Sequence, residues 1–332
     1  MRALAIVMLA ACSSPSQPTT AVTPMQPAGP HGRVVIEKFH SDALGVDKDV
    51  RVYLPAGYEA GGKHYPVLYY LHGLTGDESN WIEHGHLDKV ADSLGLQAIV
   101  VMPDGDNNFY VDSKMTVDYD ACMRDGTGLM LPQQPKAKTC TRTWKYETYI
   151  THDLIGWVDK TYRTIPSREG RGVAGLSMGG YGSLMLSMRH PDLFAAAASH
   201  SGVDSLLYGG PFPYEHGKGA RVDDIKPLIA NLGDFGKWMI LLYGDDIETW
   251  RAYDPSVLVE KLAPGQLKLY LDCGTEDDFA LHNGMQYLHD LLLDHHIDHA
   301  YYIGPGKHDF VFWSQRLPKS LAFMQQSVAP AR

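Results

Sequence analysis

The hexapeptide Gly175-Leu176-Ser177-Met178-Gly179-Gly180 constrains this chain more than any other stretch. It follows Arg171-Gly172-Val173-Ala174 and precedes Tyr181-Gly182-Ser183-Leu184-Met185-Leu186, so a short apolar run leads into G-x-S-x-G and then into helix-forming residues. That order predicts strand, sharp turn and helix, the setting in which such a serine is displayed as a nucleophile. The turn forces its central residue into an unfavourable backbone conformation and brings neighbouring chain close, which calls for flanking residues without a Cβ. Gly175 and Gly179 meet that demand. A serine hydroxyl is a poor nucleophile until a base takes its proton, so the partners must come from elsewhere in the chain.

The surrounding pattern is that of an α/β protein. Residues 33–39 and 50–53 alternate and predict an N-terminal antiparallel hairpin. Residues 66–71 and 98–102 are continuous apolar runs, as expected of strands covered on both faces. A helix predicted over 79–94 separates them, which implies parallel pairing with right-handed crossovers. Further on, the pattern predicts helices over 146–162, 279–295 and 313–328, and strands over 194–199, 267–272 and 299–303. Two long stretches, 104–143 and 203–264, break the alternation, the second with short helices expected over 223–232 and 255–262. Irregular segments of that length in compact domains usually form walls or lids of a site. Residues 33–330 are expected to make a single catalytic domain.

In an open α/β sheet, ligands bind beyond the carboxyl ends of the strands. Four predicted strands end in reactive chemistry: Ser177; the acidic loop Cys273-Gly274-Thr275-Glu276-Asp277-Asp278; the loop Gly304-Pro305-Gly306-Lys307-His308-Asp309-Phe310; and the turn His72-Gly73-Leu74-Thr75-Gly76. The chain order serine, acid, histidine is one in which a catalytic triad is built on such sheets. His308 is the expected base, and Asp277 the expected partner that orients its imidazole, with Glu276 and Asp278 as flanking alternatives. Donors for a developing oxyanion are expected from the backbone N–H of Met178 and of the 72–75 turn, with Leu74 the choice there.

At these positions the chain resembles the esterase D-like α/β hydrolases, a group that includes feruloyl and acetylxylan esterases, S-formylglutathione hydrolases, tributyrin esterases and antigen 85-type mycolyltransferases. The resemblance spans about residues 34–324. It rests on Leu71-His72-Gly73-Leu74, Trp144-Lys145-Tyr146-Glu147-Thr148, the Ser177 elbow, Cys273-Gly274-Thr275-Glu276-Asp277, and His308 followed by Trp313. It implies the α/β-hydrolase fold, with a mostly parallel sheet and helices on both faces. The family's acid falls on Asp277 and its oxyanion donors on Leu74 and Met178. The implied activity is that of a serine carboxylesterase acting on small acyl or aryl esters, including carbohydrate-linked ones, through an acyl-enzyme and without cofactor. Transfer of the acyl group to a sugar or alcohol is the first alternative, S-formylglutathione hydrolysis the second, and a non-catalytic binding lipoprotein the remote one.

Other candidates have plainer readings. His72 is expected to shape its turn, and His84 and His86 to be exposed at a helix end. His289, His295, His296 and His299, with Asp294 and Asp298, lack the spacing of a zinc site, so no metal is expected. Tyr110, Trp144 and Tyr208 are candidate aromatic walls for the substrate, with core packing the commoner use of Trp144. A formal charge of −10 disfavours nucleic acid as a partner. Met1-Arg2, the apolar residues 3–10 and Leu9-Ala10-Ala11-Cys12 read as a lipoprotein signal peptide over 1–11, too short to span a bilayer. Cys12 is then the lipidated residue that holds the protein to the membrane of the bacterial cell envelope, through a disordered tether over 12–32. Export suits a disulfide between Cys122 and Cys140, whereas Cys273, at the end of an apolar run, is expected to be a buried thiol.

Overall fold

The computed structural model describes residues 31–332 other than Lys114 and Pro132. The signal segment, Cys12 and the tether up to residue 30 lie outside the described residues.

Eight strands form one sheet in the order β1-β2-β4-β3-β5-β6-β7-β8. β1 (Arg33–Ser41) and β2 (Val46–Leu54) make the antiparallel hairpin, and β2 pairs antiparallel with β4 (Ile99–Pro103). From there β3 (Val67–Leu71), β5 (Arg171–Leu176), β6 (Ala196–His200), β7 (Lys268–Gly274) and β8 (His299–Gly304) run parallel. The sheet therefore reverses direction of growth after β3 and β4, which opens a crevice beyond the carboxyl ends of its central strands.

The helices follow in chain order. On the first half are α1 (Asn80–Glu83), α2 (Leu87–Leu94), α3 (Tyr119–Asp125), α4 (Lys136–Thr139), α5 (Tyr146–Thr148) and α6 (Ile155–Thr161). A π-helical segment, Tyr149–Leu154, joins the last two into one continuous run. The second half holds α7 (Met178–Arg189), α8 (Lys226–Tyr243), α9 (Ile247–Tyr253), α10 (Pro255–Leu258), α11 (His282–Asp294) and α12 (Phe310–Ser327). Because successive strand residues face opposite ways, the continuous apolar runs feed two cores. Tyr70, Ala174 and Ala198 pack with Trp81, Leu87 and Leu321 of α1, α2 and α12; Tyr69, Val173 and Ala197 pack with Val158, Leu184 and Met285 of α6, α7 and α11.

Two expected helices come out differently, and the second excursion gains a further one. The run 79–94 is broken into α1 and α2, because His86 takes a left-handed φ of 50° and resets the helix axis so that Trp81 and Leu87 both face inward. The segment expected as a helix over 223–232 extends to Tyr243, kinked at Gly233, and α9 is an additional helix capped by Asp246. In the first excursion, α3 and α4 are joined by the disulfide Cys122–Cys140, and Cys273 is a buried free thiol.

Candidate active site

The elbow turns between β5 and α7. Ser177 adopts φ 53° and ψ −117°, a conformation that costs a non-glycine residue about 1–3 kcal/mol. Its N–H donates to His200 O at 2.8 Å, and its C=O accepts from Tyr181 N at 3.0 Å, so hydrogen bonds on both sides hold the turn. A Cβ at Gly179 would stand 2.4 Å from Leu71 O, which fixes glycine there: the start of α7 lies directly on the end of β3.

His308 follows β8. Its Nε2 is 2.8 Å from Ser177 Oγ and its Nδ1 is 2.6 Å from Asp277 Oδ2. Asp277 is buried, whereas Glu276 and Asp278 are exposed. The two loops are stitched by Thr275 N to Gly304 O (2.8 Å) and Glu276 N to Gly306 O (2.9 Å), which sets the acid against the histidine. Burial opposes ionisation of Asp277, but the hydrogen bond and charge of His308, with the N–H groups of Leu281 and Phe279, outweigh it and hold the carboxyl below its ordinary value. The imidazole meets Phe279 and Trp313 edge to face, with ring centroids 4.8 and 5.0 Å away.

The turn after β3 lies against Ser177: a Cβ on Gly73 would be 3.2 Å from Ser177 Cβ. Among the described residues, neither Leu74 N–H nor Met178 N–H donates to another group. Met178 follows Ser177 in the chain, and Leu74 follows Gly73, whose backbone lies against Ser177. Thr75 has a strained φ of 68°, and its N–H is held by Asn107 Oδ1 at 2.7 Å. Asn107 in turn donates to Gln134 Oε1 at 2.9 Å and accepts Trp238 Nε1 on its carbonyl at 3.3 Å, so both excursions brace this turn. His72 shapes it as well: its Nδ1 faces Gly73 O at 2.8 Å and its Nε2 accepts from Gly105 N at 2.8 Å. Beneath, the buried Lys48 binds Asp104 at 3.2 Å and Asp106 at 2.7 Å. Burial pushes Asp106 up to about 6, while Asp104, also buried, is carried below its ordinary value by Lys48, His72 and Lys138.

Asn107 and the Lys48 foundation were not singled out in the sequence. The signal for them was Asp104-Gly105-Asp106-Asn107-Asn108, a polar cluster at the carboxyl end of the buried β4. The aromatic walls need correction. Tyr110 is fully buried and its hydroxyl donates to His72 O at 3.0 Å, so it supports the turn from behind. Trp144 is buried against Trp238, and Tyr208 is buried among Phe212, Tyr214 and Tyr287, with its hydroxyl bonded to Pro211 O. His84 and His86 are exposed. His289 Nδ1 faces His299 Nε2 at 2.6 Å, and among the described residues no group of three or more possible metal ligands gathers.

A second Ser-His-Asp constellation lies behind the elbow. His200 Nδ1 is 2.8 Å from Asp272 Oδ1, and its Nε2 is 2.8 Å from Ser320 Oγ. All three are completely buried, and Arg316 Nε (3.1 Å) and Tyr270 OH (2.7 Å) both donate to Asp272 Oδ2.

The Esterase family model matches residues 41–324. Among curated proteins, an esterase of Mycobacterium tuberculosis, Rv1288, is 31% identical over 169 residues, covering 51% of this chain and 32% of that protein. An endo-1,4-beta-xylanase/feruloyl esterase of Xylanibacter ruminicola is 28% identical over 216 residues, covering 61% of this chain and 25% of that protein. The chain thus spans a third or less of the length of these relatives. Among solved structures, an S-formylglutathione hydrolase from Agrobacterium tumefaciens shares 20% identity with a TM-score of 0.66, over 91% of this chain and 97% of that one. The shared architecture is the α/β-hydrolase fold.

Proposed function

The chain belongs to the Esterase family, and from that premise we propose that it is a serine carboxylesterase opening small acyl or aryl esters through an acyl-enzyme. The observation that supports this most directly is the relay from Ser177 Oγ through His308 to Asp277, with separations of 2.8 and 2.6 Å, beside two undonated backbone N–H groups. Ser177 Oγ attacks the ester carbonyl as His308 Nε2 takes its proton, and the carbonyl oxygen gains the negative charge. Leu74 and Met178 N–H stabilise that charge. The intermediate collapses with loss of the alcohol, which receives the proton from His308 and leaves Ser177 acylated. Water, deprotonated by His308, then attacks the acyl carbon; the acid departs and Ser177 regains its proton. Asp277 keeps Nδ1 protonated and stabilises the imidazolium formed in each half. An ester whose acid half carries an aromatic ring is in keeping with the relative named as a feruloyl esterase.

The test is hydrolysis of p-nitrophenyl acetate and a feruloyl ester by the purified chain, with free acid measured in the presence and absence of glycerol. The expected result is stoichiometric free acid, abolished in Ser177→Ala; acylated glycerol in place of acid overturns hydrolysis in favour of transfer.

We further propose export and lipid anchoring through Cys12, a reading in keeping with the Cys122–Cys140 disulfide, which suits an oxidising compartment. Partition of the wild type into detergent, lost in Cys12→Ala, is the expected outcome; a wild type that stays in the aqueous phase overturns it.

A further inference from the structure

A single exposed apolar side chain is ordinary, but one whose ring is packed on a group of a candidate site offers apolar surface that a ligand there would cover. Two of the most exposed large apolar side chains in the described residues are Phe279, whose ring meets His308, and Val311, three residues after His308 in the chain. Phe279 is 66% exposed and Val311 is 68% exposed. Phe279 is fixed in place: its N–H donates to Asp277 Oδ1 at 3.0 Å, and its ring stands nearly perpendicular to the His308 imidazole. Val311 lies in the first turn of α12, three residues after His308, on a helix end capped by the Asp309 side chain. Trp313, the other ring against the imidazole, is by contrast buried and donates to Ser201 Oγ at 3.1 Å.

The chemistry assigns a direction to this rim. His308 Nε2, once it holds the serine proton, must deliver it to the departing oxygen, so that oxygen lies at the Nε2 edge of the imidazole. The acyl group stays on Ser177, with its carbonyl oxygen toward Leu74 and Met178. A ring seated against His308 therefore meets the alcohol half of the ester.

We infer that Phe279 is an alcohol-side specificity site, receiving an ester whose alcohol presents a flat, carbon-rich ring face. This rests on the esterase reading above. An aryl ring and the C–H face of a sugar ring share that chemistry. Edge or face contact with an aromatic adds to the apolar area covered, and together they are expected to be worth about tenfold in kcat/KM.

The experiment compares kcat/KM for three acetates, phenyl acetate, a mono-O-acetyl methyl xyloside and ethyl acetate, in the wild type, Phe279→Ala and Phe279→Tyr. Ratios between variants cancel the different intrinsic reactivities of the esters. The ring-to-ethyl ratio is expected to fall about tenfold in Phe279→Ala, mainly through KM, and to return in Phe279→Tyr. A fall for phenyl alone identifies an aryl alcohol, and a fall for the xyloside alone a sugar. Equal loss on all three acetates, or a change in preference between phenyl acetate and phenyl butyrate instead, overturns the assignment. A wild type that hydrolyses all three with a ratio untouched by Phe279→Ala defeats this inference alone. A wild type inert toward every ester defeats the esterase reading with it.

Discussion

Two serine-histidine-aspartate constellations sit back to back in this molecule, and their hydrogen-bond lengths barely distinguish them. In the outer one His308 is 2.8 Å from Ser177 and 2.6 Å from Asp277; in the inner one His200 is 2.8 Å from both Ser320 and Asp272. Everything around the rings differs. Ser177 stands in a strained turn next to undonated N–H groups, whereas Ser320 lies within α12, its hydroxyl also bonded to Leu317 O at 3.2 Å. Among the described residues, Asp277 pairs with His308 and with no lysine or arginine, whereas Asp272 is already matched by Arg316. The inner set has no exposed atom to meet a substrate. Proton-relay geometry is thus common to both sets, and access, backbone strain and the absence of a matching arginine among the described residues distinguish the outer one. The inner set still touches the outer one, since His200 O holds the Ser177 N–H.

The comparison breaks most visibly at the serines. Ser177→Ala is expected to lower kcat by at least about 10⁴-fold, and Ser320→Ala to leave it within about threefold, as measured by p-nitrophenyl acetate turnover per folded molecule. At the acids, Asp277→Asn is expected to cost about 10³–10⁴-fold in kcat with little change in KM. Asp272→Asn should instead cost about 3 kcal/mol of stability in denaturant titration, because it leaves Arg316 partly buried without its countercharge. Smaller again is the stability effect of Ser320→Ala, expected at about 1–2 kcal/mol from the hydrogen bond lost to buried His200. The smallest effect is in pH. The native Asp277 carboxyl lies below the 3.8 of an unperturbed group, so the folded state holds its proton less readily than the unfolded chain. Its stabilising contribution is complete above that value and is lost as pH falls through the native one. The gap in melting temperature between wild type and Asp277→Asn should therefore narrow below about pH 4; a gap that stays constant would place the contribution elsewhere.

How much of this was legible depended on whether the signal was local. The apolar runs of β3, β4 and β5 and the spacing of Gly175, Ser177 and Gly179 state their structure within a few residues, so the sheet and the elbow could be read directly. The order Ser177, Asp277, His308 could be read as well, because each residue ends a strand. The inner constellation could not: His200, Asp272 and Ser320 come from two strands and the middle of a helix, in the order His, Asp, Ser, which is familiar from all-β proteases and not from open α/β sheets. Tyr110 misled because an aromatic in a loop rich in Gly, Asp and Asn suggests a wall, and only the fold shows its hydroxyl turned onto His72 O. The break at His86 was hidden for a related reason, since the amphipathic spacing on either side continues across a left-handed residue that any sequence window averages away.

The hydrogen bonds of Asn107 bear on how such a protein can diversify. One side chain answers to Thr75 on one side and to Gln134 on the other, while its carbonyl takes the Trp238 indole. Under the proposed activity, exchanging either long segment for that of a relative disturbs the turn that carries Leu74 N–H, and with it the speed of the bond-breaking step. Selectivity and turnover are on that reading mechanically geared together, so that a lineage that swaps one must readjust the other.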